Sequence, residues 1–109
     1  MTQQAEIYWS SEEKIIVKTA LENAYAREVS ALVEDVRQRA TQLTGTEEVW
    51  QLHDFLSARR HDIDGKYDDR ESFLLYTLSR LVKDGWLDLS ELVGLEPGKR
   101  AKVNLLTRM

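Results

Sequence analysis

The sequence predicts an all-α protein, and three observations carry that expectation. Between Ser10 and Leu43 there is no proline or glycine. Across that run Val17, Leu21, Ala24, Tyr25, Val29, Leu32, Val36, Ala40 and Leu43 recur at threes and fours, the spacing of one helix face. Capping pairs of the type Ser/Asp-x-x-Glu stand at Ser10–Glu13, Asp68–Glu71 and Asp88–Glu91, where helices would start. No stretch alternates in the manner of a half-buried strand. With no internal repeat and no low-complexity segment, the 109 residues read as one domain spanning 1–109.

Taken in order, residues 1–9 read as a flexible lead-in ending in Tyr8 and Trp9. A long helix is expected over 11–43. At 1.5 Å per residue it would extend about 50 Å, further than a domain of this size can cover. Its stripe is therefore expected to pack on a second copy, through Tyr25, Val29, Leu32, Val33 and Val36, giving a homodimer. Gly45 closes the helix in the left-handed conformation and Thr46 caps the next, over 46–62. Glu47 and Glu48 sit in its first turn and Arg59, Arg60 and His61 in its last, as the helix dipole favours. Asp62-Ile63-Asp64-Gly65-Lys66 is turn chemistry. A third helix over 69–84 starts at the Asp68 cap, buries Phe73, Leu74, Leu75, Leu78, Leu81 and Val82, and ends at Gly85. A short helix over 89–93 stops at Gly94. Pro97-Gly98 breaks the chain before a last helix over 99–107, with Val103, Leu105 and Leu106 inward.

Composition removes several function classes. There is no cysteine, which excludes disulfides, iron–sulfur clusters and thiol catalysis and suits a reducing cytosol. No apolar run approaches the roughly 20 residues of a membrane span, and no basic-then-apolar signal pattern opens the chain; a soluble, non-secreted protein is expected. The net charge is −4. Residues 98–109 hold Lys99, Arg100, Lys102 and Arg108 without an acid, which leaves −8 on the first 97. So acidic a body argues against nucleic acid as the main partner.

The stretch from Val49 to Arg70 is the richest in groups that recognise or react. It holds both histidines, five of the eight aspartates, one of the three tryptophans and an Arg-Arg pair. On a wheel of about 100° per residue, Val49, Leu52, Leu56 and Ile63 form an apolar stripe, widened by Phe55. Trp50, Asp54, Ser57 and His61 form a second stripe roughly 120° away, with His53 and Arg60 on the seam. A tryptophan on the polar side is not needed by its own helix's core. It either packs under a neighbouring helix of the same protomer or anchors an interface, with Asp54 and Arg60 as flanking charges.

Other chemistries fit poorly. The His53-Asp54 doublet resembles that of metal phosphohydrolases, but no further histidine exists outside 53 and 61 to complete a site. Those two are eight apart, not the i, i+4 of a zinc helix. A calcium loop with Gly65 at its sixth position would place Arg60 at the first ligand, which breaks it. There is no Gly-rich phosphate loop and no serine with a plausible base. Acids are abundant enough to supply a carboxylate pair for acid–base work, but nothing singles one out, and abundant acids usually mean a solvated surface.

The run Trp50-x-Leu52-His53-Asp54-Phe55-Leu56-Ser57-Ala58-x-Arg60-His61-x-Ile63-Asp64-Gly65-Lys66-Tyr67-Asp68-Asp69-Arg70 resembles the signature of the cyanobacterial fluorescence recovery protein family. The detailed match covers residues 49–70, and the length and helical character agree over the rest. The resemblance implies a small all-helical dimer without enzymatic activity or cofactor. Such proteins bind the photoactivated red form of the orange carotenoid protein, chiefly at its C-terminal domain. They promote its detachment from the phycobilisome and speed its return to the orange form, which ends photoprotective quenching. The resemblance places partner binding on Trp50, His53, Asp54 and Arg60, with Tyr76 and Lys102 matching an aromatic and a base of the family, and it implies a cytoplasmic location at the phycobilisome and thylakoid surface. The alternative is a helical dimeric adaptor or scaffold for a different protein, with an enzyme third.

Overall fold

Ser10 starts the first helix as its sequence predicts. Its hydroxyl accepts from the Glu13 backbone N–H, while the Glu13 carboxylate accepts from the Ser10 N–H, a complete capping box. In the computed structural model, which describes residues 7–109, the elements are α1 (Ser11–Ala40), α2 (Thr46–Lys66), α3 (Leu74–Lys83) and α4 (Pro97–Thr107), with single 3-10 turns at Glu71–Phe73 and Leu89–Leu92. No strand forms among the described residues, and the all-α expectation is borne out.

The first half of α1 lies on a core built largely from the C-terminal third of the chain. Val17, Ala20 and Ala24 of α1 meet Leu74, Leu75, Leu78 and Leu81 of α3, Val103 of α4, and Leu87, Leu92 and Leu95 between them. Gly94 has φ +109, and a Cβ there would fall 2.5 Å from Ile16 Cδ1, so only glycine lets this loop close onto α1. A bidentate pair from Arg27 to Glu91, at 2.8 and 2.9 Å, ties α1 to the second 3-10 turn.

The second half of α1 leaves this head and forms a hairpin with α2. The Arg39 guanidinium lies 3.7 Å from the Phe55 ring centroid, and Lys66 donates to Glu28 at 2.7 Å. The contacts run from 28 to 39 on one helix and from 66 to 55 on the other, so the two are antiparallel. The hairpin makes the protomer long: it measures 55 × 32 × 24 Å, with a radius of gyration of 17.3 Å, where a compact chain of this length would have about 13 Å.

Several boundaries differ from expectation for physical reasons. Helix α1 stops at Ala40, and Gly45 is extended (φ −168) and serves as the N-cap of α2 in place of Thr46. Helix α2 runs through the predicted turn to Lys66, because the Lys66 ammonium is drawn to Glu28. Asp68 does not pair with Glu71. Its carboxylate instead accepts from the backbone and guanidinium of Arg70, and the third helix opens only at Leu74 after a 3-10 turn. The Asp88–Glu91 box forms but caps a 3-10 turn. Pro97 takes the first position of α4. Phe73 and Leu105 are exposed, Phe73 beneath the Arg70 guanidinium.

The largest departure is at the N-terminus. Residues 1–6 of the expected lead-in lie outside the described residues, but Trp9 is 2% exposed and belongs to the core. Lys99 explains its burial: the ammonium sits 4.6 Å over the Trp9 ring, donates to the Tyr8 carbonyl, and donates to Glu13 Oε1 at 2.7 Å. The other Glu13 oxygen accepts from the Glu96 N–H at 2.8 Å. These bonds, the Lys99 one foremost and then that of Glu96, outweigh burial and pull the Glu13 carboxyl from 4.5 down to about 2.

A carboxyl made more acidic by folding stabilises the fold above its unfolded pKa and loses that contribution as pH falls through its folded one. Melting temperature followed from pH 7 downwards should therefore decline between about 4.5 and 2. Glu13→Gln should be less stable at neutral pH by about 3–5 kcal/mol, since it leaves the buried Lys99 charge without its carboxylate. Its acid limb should be flatter; an unchanged limb would assign the acid transition elsewhere.

Candidate partner-binding site

Helix α2 presents two sides. Phe55, Arg59 and Lys66 face α1, and at about 100° per residue Trp50, Asp54, Ser57 and His61 fall on the outward side. His53 and Arg60 lie between that side and the apolar edge. The structure removes the reading in which Trp50 packs under a neighbouring helix of the same protomer: it is 59% exposed and no helix of the protomer covers it.

The patch is locally ordered. The Trp50 and His53 rings meet edge to face, with centroids 6.3 Å apart. His53 Nδ1 lies 3.3 Å from Asp54 Oδ1, and Arg60 Nε lies 3.7 Å from Asp64 Oδ2. The side chains of His53, Asp54 and Arg60 are 70, 82 and 85% exposed, so these pairs hold the groups loosely and leave them open to exchange partners. The chemistry offered is one flat aromatic anchor with an acid one turn on and a base further along the same helix. No group of His, Asp or Glu among the described residues has a metal-holding arrangement.

Tyr76 and Lys102 sit elsewhere. Tyr76, on α3, is 67% exposed and lines a shallow cleft with Arg80, Lys83 and Leu106. Lys102, on α4, lines a cleft of about 620 Å³ with Tyr8, Glu12 and Glu96. Four of the six predicted residues therefore share the outward part of α2, while Tyr76 and Lys102 line separate clefts of the head, and no hydrogen bond, ion pair or ring contact joins the hairpin residues to either among the described residues.

What sets the hairpin on the head escaped the sequence reading. The Glu28 carboxylate is fully buried and accepts from Lys66 Nζ at 2.7 Å, Tyr67 Oη at 2.8 Å and Arg59 at 3.3 Å. Tyr67 also packs edge to face on Tyr25, 5.3 Å between centroids. Burial, then the bond to Glu28, pushes the Tyr67 phenol well above its ordinary range. Burial also works against ionisation of nearby Asp62, but Lys66 and Arg80 more than offset it and hold the acid below its usual range. The signal was present: Glu28 stands on the apolar stripe, four residues after Ala24.

The comparisons with known proteins agree with this architecture. The family profile described as the photoprotection regulator fluorescence recovery protein matches residues 9–107. The fluorescence recovery protein of Synechocystis sp. (strain ATCC 27184 / PCC 6803 / Kazusa) is 41% identical over 109 residues, covering all of both chains. The solved structure of the Fremyella diplosiphon fluorescence recovery protein superposes with a TM-score of 0.90 at 47% identity, over 94% of this chain and 100% of that one. That of the Synechocystis protein gives 0.90 at 40% identity with the same coverage. The chain belongs to the fluorescence recovery protein family, whose members regulate photoprotection.

Of the three tryptophans, Trp9 is buried, Trp86 half-buried and only Trp50 open to solvent. Trp50→Leu should remove most of the acrylamide-quenchable fluorescence and leave stability within about 0.5 kcal/mol. A larger loss on chemical denaturation would mean that Trp50 serves the fold.

Proposed function

We propose that the protein binds the photoactivated red form of the orange carotenoid protein, chiefly at its C-terminal domain, promotes its detachment from the phycobilisome and accelerates its reversion to the orange form. Family membership supports this reading. The observation that carries it to particular residues is Trp50, a large exposed aromatic followed along the same helix by Asp54 and Arg60, on a side that no other helix of the protomer covers. Buried aromatics with charged neighbours dominate protein interfaces. Acceleration without covalent chemistry requires only differential affinity. A surface that binds a compact intermediate of the partner more tightly than the opened state lowers the barrier between them. Such a regulator works in the cytoplasm at the phycobilisome and thylakoid surface; no helix among the described residues is long and apolar enough to cross a membrane.

The functional unit is a homodimer on this reading. Counted at about 100° per residue from the α1–α2 contacts, Val29, Val33, Val36 and Ala40 of α1 and Val49 and Leu56 of α2 fall on one flank of the hairpin. Val33 is 43% and Val49 44% exposed. A continuous apolar flank of this kind suits a symmetric partner. Val33→Glu should then give monomers in sedimentation with helicity intact, and a wild type already monomeric at micromolar concentration would end the dimer reading.

Loss of a hot-spot aromatic costs about 2 kcal/mol, roughly thirtyfold in affinity. Trp50→Leu and Asp54→Leu should therefore keep fold and oligomeric state but lose most of the acceleration of dark recovery of a photoconverted orange carotenoid protein. The Asp54 variant should also show weaker salt dependence of association. Full activity in both would move the docking surface to Tyr76 and Lys102.

A further inference from the structure

The root of α2 is joined to the head by a cluster of charges beside the buried Ile63 and the Tyr25–Tyr67 contact. Around Glu28, Lys66 Nζ also lies 3.4 Å from Asp62 and 3.7 Å from Asp84, and Arg80 lies 2.8 Å from Asp62 and 3.8 Å from Asp84. With Arg59 this makes three acids and three bases from α1, α2, α3 and the residue after α3. The cluster is formally neutral, and its hub is a carboxylate with no exposure.

Replacing such a cluster by apolar side chains of similar size is often neutral or stabilising, so net stability is a weak reason for its presence. Direction is a better one. Charged hydrogen bonds fix angle as well as distance, and one carboxylate gripped by three donors from two neighbouring residues and a turn of helix cannot slide as a leucine seam can. We propose that Glu28 is a positioning residue for partner binding: the cluster around it sets the angle of α2 on the head, and hence the separation of the Trp50 patch from Tyr76 and from Lys102. This rests on the reading of the hairpin patch and these head residues as one partner's docking sites, because only a partner that engages both is sensitive to their spacing. A loose joint would leave each surface intact but remove the gain from simultaneous engagement.

The absence of cysteine makes the angle measurable. Gln51→Cys on α2 and Ala101→Cys on α4 place spin labels at two exposed positions, and excess unlabelled protein isolates the distance within one protomer. In this background Glu28→Leu with Lys66→Met should melt and dimerise like the parent, yet about double the width of the distance distribution. Without labels, the same pair of changes should slow carotenoid-protein recovery at least tenfold relative to wild type, an estimate of about the gain from two-site engagement. Tyr67→Phe removes one donor alone and should broaden the distribution less; it carries the test if the double variant unfolds. An unchanged distribution overturns the role of Glu28 in setting the angle. A broadened distribution with undiminished acceleration overturns its role in binding. If the wild type itself fails to accelerate recovery, the functional reading falls, and the distances still judge the joint.

Discussion

A helix of 30 residues is about 45 Å long, and a chain of this size has too little apolar material to sheathe it. The rest of the structure answers that constraint. The C-terminal third wraps the first half of α1, where Val17, Ala20 and Ala24 vanish into the core. The second half receives only one companion helix, and one helix shields one side of another. Val29, Leu32 and Val36 end half-buried and Val33 exposed. The head is therefore a self-sufficient core, while the hairpin is an unfinished layer.

Two buried ion pairs mark the two ends of the head's grip on α1. Glu13–Lys99 fastens α4 and the Tyr8–Trp9 segment at the start of the helix, and Glu28–Lys66 fastens α2 fifteen residues later. Both carboxylates are buried and both accept from at least three donors. Replacing such pairs by apolar side chains is often neutral, so beyond the charge stabilisation at Glu13 their distinctive contribution is the position of each attached segment.

The long helix, the caps at Ser10 and Asp88 and the face of α3 were legible because each is a local pattern, readable within a few turns. Trp50 was legible for the opposite reason, as a residue that its local pattern did not need. The misreadings share a cause. Gly65 and its aspartates favour a turn locally, but Lys66 reaches Glu28, 38 residues back, and that buried pair keeps the helix going. Trp9 belongs to no periodic run, and its burial depends on Lys99, 90 residues on. Leu105 had the composition of a core residue, but α4 turns its Val103 side to the core, and two residues on at about 100° each Leu105 falls on the opposite side. Long-range polar partners leave no period in a sequence.

The single root of α2 has a mechanical meaning. Trp50 stands 16 residues from Lys66, about 24 Å along the helix, and beyond the Arg39–Phe55 contact, so on the proposal above the hairpin is a lever with its joint near Glu28. A rotation of only about 5° at the joint would swing the indole by roughly 2 Å over that length, more than the whole spread of hydrogen-bond distances about 0.5 Å wide. Stiffness at the joint thus matters more than stiffness of the arm. An arm of this kind would also amplify in the other direction: a force applied at Trp50 would act on the joint with the leverage of the arm, so a fully buried carboxylate would bear the load placed on an exposed indole.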